Sequence, residues 1–87
     1  MRKLCHKTLK IYFCACLTRA RRTRGHTQSK MAELLAMDDR SYADLEHGKS
    51  CCSAVTLGLY LAYACDDPVE FVKGLRQAIE MNNHDVA

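Results

Sequence analysis

Apolar residues recur at helical spacing along nearly the whole chain, and four polar breaks divide them into five segments. Ile11, Phe13, Cys14, Leu17 and Ala20 give the inward stripe of a first helix, predicted from near Thr8 to Arg22 or Arg24, with Arg19, Arg22 and Arg24 outward. Met31, Leu34 and Leu35 stripe a second, Gln28 to Leu35, capped by Thr27. Asp38 caps a third, Asp39 to His47, where Tyr42 and Leu45 face inward and Gly48 supplies the positive φ that closes a helix. After a loop at Lys49–Cys52, Ser53 caps a fourth helix, Ala54 to Cys65. It is apolar almost all round, which predicts a central position or a partner over one side. Gly58 inside it costs about 1 kcal/mol relative to Ala, and a close helix–helix contact would account for it. Asp67-Pro68-Val69-Glu70 then starts a fifth helix, running to about Met81. Its stripe is Val69, Val72, Leu75, Ala78 and Ile79, with Phe71 beside it.

The second and third helices are joined by a turn at Met37-Asp38. A turn this short makes them cross steeply and pushes the third helix outward, where it can enter a DNA major groove. The motif residues around them are Arg21, Gly25-His-Thr27-Gln28, Met31-Ala32, Leu35, Leu45-Glu46-His-Gly48-Lys49, and Ser53 with Leu57. Together they resemble the Cro/cI-type, lambda-repressor-like (XRE) helix-turn-helix of bacterial and phage transcription regulators. The register holds without a gap from about Leu17 to Ala64. The resemblance implies an all-α, five-helix DNA-binding domain with helices two and three as the helix-turn-helix. Residues 11–81 are expected to form it. Residues 1–10 either extend the first helix or form a basic arm, and residues 82–87 are expected to fray.

The resemblance also implies roles for single residues. Arg21 on helix one pairs with Glu46 at the end of helix three and locks the reading helix to the scaffold. Gln28 presents its backbone N–H and side-chain amide to a DNA phosphate at the start of helix two, assisted by the helix dipole. Thr27, Arg24, Lys30, Lys49 and Ser50 are candidates for the same phosphate clamp, which positions the protein without reading sequence. The base-reading positions at the start of helix three are Asp39, Arg40 and Ser41, with Asp44 one turn later. Arg40 suits the O6 and N7 of a guanine, and the aspartates can accept from a cytosine amino group. The aspartates also meet phosphate repulsion, and Asp38 and Asp39 favour the dipole of their own helix.

Charge sharpens this picture. Residues 1–37 carry nine Lys/Arg and one acid, a net of +8; residues 38–87 carry four Lys/Arg and nine acids, a net of −5. The basic front half suits a phosphate-facing surface. Ile11–Leu17 after a basic start has the look of a secretion signal, but the run is short and Thr-Arg-Ala-Arg-Arg follows it at once, so a cytoplasmic protein is expected. No stretch is long enough to span a membrane. The six cysteines are then expected as reduced thiols. Cys14 and Cys16 point to different faces of a helix, Cys51 and Cys52 fall in a loop, and no Cys or His pair has zinc-finger spacing.

A chain of 87 residues leaves no room for a deep catalytic cleft, and no phosphate loop, catalytic triad or metal motif is present. The expectation is a non-enzyme without cofactor, metal or small-molecule substrate. Its partner is double-stranded DNA, bound as a homodimer through Tyr60, Tyr63, Phe71 and Leu75. The alternative is a helix-turn-helix-fold protein-interaction module whose acidic third helix has weak or no DNA binding.

Overall fold

The computed structural model describes the backbone of residues 2–86 and the side chains of residues 6–81. Among these, the chain forms five helices and no strand. They are α1 (Arg2–Arg24), α2 (Gln28–Leu34), α3 (Asp39–Glu46), α4 (Ala54–Leu59) and α5 (Pro68–Val86), with a π-helical turn (Tyr60–Ala64) continuing α4. Helix α1 therefore begins at Arg2 rather than near Thr8, so residues 2–10 extend it. Helix α5 passes the expected end at Met81; the side chains of residues 82–87, expected to fray, lie outside the described residues.

The polar breaks cap the helices as their residue types dictate. Thr27 Oγ1 accepts from the Lys30 N–H (3.1 Å), Asp38 Oδ1 from Ser41 N–H (2.7 Å), Ser53 Oγ from Thr56 N–H (3.1 Å) and Asp67 Oδ1 from Glu70 N–H (3.1 Å). Each satisfies one backbone donor that the first helical turn leaves without a partner. Helix α3 ends with the Lys49 N–H on the Asp44 carbonyl and the Gly48 N–H on the Leu45 carbonyl, with Gly48 at φ +73°. This is the paired-bond closure that calls for a left-handed residue. Helix α2 closes the same way, Met37 N–H to Ala32 and Ala36 N–H to Glu33, but its left-handed residue is Ala36 at φ +54°.

Two sub-clusters share one core. Leu17, Met31, Ala32, Leu35, Tyr42 and Leu45 are buried where α1, α2 and α3 meet. Phe13, Tyr60 and Phe71 join α1, the π-helical turn and α5 through ring contacts: Phe13 meets Tyr60 edge-on at 5.2 Å, and Tyr60 lies 5.3 Å from Phe71. Tyr12 stacks tilted on Phe71 at 5.5 Å and donates its hydroxyl to the Phe71 carbonyl at 2.7 Å. A Cβ on Gly74 would overlap that hydroxyl, so Gly74 is the notch that lets α5 approach α1.

Several expected facings change. Tyr60 and Phe71, expected between two copies, are buried in the protomer's own core, where their rings pack on each other and on Phe13. Leu75 is half-buried against the same core, and Tyr63 alone of the four is open to solvent. On α5 the buried face runs through Phe71, leaving Val69 and Val72, expected inward, exposed. Ile11 likewise turns outward while Tyr12 and Phe13 turn in. Nothing lies within 4 Å of a Cβ built on Gly58, so no close helix contact explains that glycine.

Candidate nucleic-acid interface

An ion pair and its satellites tie α3 to α1 and to the start of α2. Arg21 Nε donates to Glu46 Oε2 at 2.6 Å and Nη2 to Oε1 at 3.0 Å, a two-pronged contact between α1 and the end of α3. Arg21 Nη1 also donates to the His26 carbonyl (3.2 Å), and the Gln28 amide reaches Glu46 Oε1 at 3.4 Å. The Glu46 side chain is only 5% exposed and that of Arg21 17%, so the pair is largely withdrawn from water. Burial pushes the Glu46 carboxyl up, but the hydrogen bonds from Arg21 and Gln28 outweigh it and hold it below the usual carboxylate range. The bond to Glu46 raises Arg21 in turn. The Tyr42 hydroxyl is fully buried beside this pair with no partner in hydrogen-bond geometry among the described residues, and burial raises its phenol.

The candidate phosphate residues divide. Lys49 is exposed just past α3 and makes no ion pair among the described residues; Ser50 beside it is half-buried. Lys30 is exposed, with only a loose contact to Glu33 at 3.8 Å. Thr27 acts as the α2 cap, and the Gln28 side chain turns toward Glu46 rather than standing free. Arg24, also a candidate, is engaged within the protein: it donates to Asp66 Oδ1 from Nε (3.1 Å) and Nη2, and to the Tyr63 carbonyl from Nη1 (2.9 Å). That fork ties the end of α1 to the corner before α5.

At the start of α3 the acidic residues serve the local structure. Asp38 accepts from both the backbone and the hydroxyl of Ser41, and these bonds hold its carboxyl below the usual range. Asp39 accepts from the Ser29 hydroxyl, linking the first turns of α2 and α3. Two of the four residues proposed to touch bases, Asp39 and Ser41, thus have bonds inside the protein. Arg40 is exposed and makes no ion pair among the described residues, and Asp44 is half-buried.

The contacts that sequence spacing missed are Ser29–Asp39, Arg24–Asp66 and His6–Cys51. Each joins segments brought together only by packing, and no local pattern signals them. Cys14, Cys16, Cys51, Cys52 and Cys65 are thiols. Among the described residues no three His, Cys, Asp or Glu side chains gather as a metal site would require, and no helix is long and apolar enough to cross a membrane. Compared with family models, curated proteins and solved structures, the chain matches none.

Proposed function

We propose that the chain is a sequence-specific, lambda-repressor-like DNA-binding regulator, probing the major groove with α3 as the second helix of a helix-turn-helix. The observation that supports this best is the Arg21–Glu46–Gln28 brace. It fixes α3 on the scaffold from its inner end, while Arg40 at the outer end and Lys30 and Lys49 at the flanks stay exposed. A rigid helix with an exposed arginine near its start and lysines beside it is what base reading and phosphate positioning need. Arg40 is the reader; Lys30, Lys49 and Ser50 are the clamp. Arg24 leaves the clamp, and Asp39 acts through Ser29 as part of the frame. A second copy would dock through exposed apolar residues, Tyr63, Val69 and Val72, in place of the buried Tyr60 and Phe71. Its α3 would reach a half-site about 34 Å away.

Titrating the protein into mixed duplex DNA at several salt concentrations tests the reading. Affinity is expected to fall with salt with a log–log slope of about 3 or steeper, as for several released counterions. Absence of binding at low salt overturns it and leaves the interaction module, whose acidic α3 would take a basic protein partner. On a selected site, Arg40→Ala should cost about 1–3 kcal/mol and relax preference at one base pair. Lys49→Ala should weaken all sequences alike and lower the salt slope by about 1.

A further inference from the structure

The imidazole of His6 and the thiol of Cys51, 45 residues apart in sequence, meet between the start of α1 and the loop after α3, with Nε2 and Sγ at 2.9 Å. They share the lining of a cavity of about 280 Å³ whose other walls include Leu9, Phe13 and Leu45. Cys51 is exposed, so a small molecule can reach the sulfur. Lys10 lines the same cavity and adds a positive charge. Cys52 is half-buried, and burial followed by the neighbouring Cys51 pushes its thiol up, which leaves Cys51 the more accessible nucleophile.

We propose that Cys51 is a peroxide-reactive thiol with His6 as its base, and that its oxidant is a small alkyl hydroperoxide. With the imidazole proton on Nδ1, Nε2 takes the proton from Sγ. The thiolate attacks the terminal oxygen of the hydroperoxide; the S–O bond forms as the O–O bond breaks. The leaving alkoxide takes the proton back from His6. Cys51 is oxidised by two electrons to the sulfenic acid, and the hydroperoxide is reduced to the alcohol. The apolar walls at Leu9, Phe13 and Leu45 favour an alkyl group over a second water-like oxygen. The chemistry needs only the His6–Cys51 geometry and is independent of whether α3 reads DNA.

Alkylation by iodoacetamide, mapped residue by residue by mass spectrometry, tests the activation. In the folded chain at pH 7, Cys51 is expected to react at least about tenfold faster than the same residue in the urea-unfolded chain. In His6→Gln the Cys51 rate should fall at least about tenfold. Circular dichroism reports whether that variant keeps its helices; if it does not, the wild-type comparison alone decides. With dimedone as the trap, tert-butyl hydroperoxide should label Cys51 faster than hydrogen peroxide at equal concentration. A Cys51 rate no higher folded than unfolded, an unchanged rate in a folded His6→Gln, no dimedone adduct on Cys51, or faster labelling with hydrogen peroxide would each overturn the proposal.

Discussion

Ala36 holds a left-handed backbone, φ +54°, in a closure that α3 makes with Gly48. A Cβ there costs roughly 1–2 kcal/mol, which glycine avoids. Ala36→Gly is therefore expected to stabilise the protein by about 1 kcal/mol, less a fraction lost to the greater freedom of the unfolded chain. A thermal melt would show this as a rise of about 4–8 °C for a domain this small. Arg21 works in the opposite direction. Removing it strands a nearly buried carboxylate, so Arg21→Ala should cost about 3–5 kcal/mol. Urea unfolding measures this, and a loss under 1 kcal/mol would mean that water already reaches Glu46. The caps at Thr27, Asp38, Ser53 and Asp67 were legible in the sequence because donor and acceptor sit three residues apart. Arg21–Glu46 was legible only through the motif, since 25 residues separate the partners. The left-handed Ala36 was not legible, because alanine carries no signal for positive φ.

At the scale of an element, Gly74 and Gly58 make opposite predictions from the same residue type. Gly58 is exposed in α4 with open space where a Cβ would stand, so Gly58→Ala should stabilise by about 0.5–1 kcal/mol through helix propensity alone. On α5, the same change at Gly74 gains that propensity but drives the Cβ into the Tyr12 hydroxyl and breaks its bond to the Phe71 carbonyl. Overpacking of this kind costs about 1–3 kcal/mol, so Gly74→Ala should destabilise. In a Tyr12→Phe background the overlap with the hydroxyl is gone while the ring carbons at 3.2 and 3.3 Å still crowd the new methyl, so the cost should shrink; chemical unfolding of the four proteins closes the cycle. The notch also explains why α5 buries Phe71 and leaves Val69 and Val72 exposed. Its apolar residues admit two stripes, one through Val69 and Val72 and one through Phe71 and Leu75. Periodicity cannot choose between them. The choice is made by the ring of Phe71 and the gap at Gly74, which fit Tyr12 and Phe13 on another helix.

Over the whole molecule, the same contacts that assemble the two sub-clusters set the range of pH in which they hold. Glu46 and Asp38 titrate below their ordinary values in the folded chain. Their contribution is complete above the unfolded carboxylate values, about 3.9 for Asp and 4.3 for Glu, and is lost as pH falls through the lower folded ones. At the alkaline side the phenols act in the reverse sense. Burial, then the neighbouring Cys16, pushes Tyr12 up to about 12, and burial also raises Tyr42 and Tyr60. Such groups contribute fully below the unfolded tyrosine value of about 10, and that contribution disappears as pH rises through the folded values. An ionised Tyr12 would also turn an oxygen without a proton toward the Phe71 carbonyl, separating α5 from α1. Melting temperature should thus be nearly flat between about pH 5 and 9 and fall at both edges. The edges are separable. Glu46→Gln should lower the plateau while weakening the acid dependence, and Tyr12→Phe should weaken the alkaline dependence and leave the acid edge in place. Melts at half-unit pH steps for the three proteins test this assignment, and an alkaline edge unchanged by Tyr12→Phe would place it on Tyr42 and Tyr60 instead.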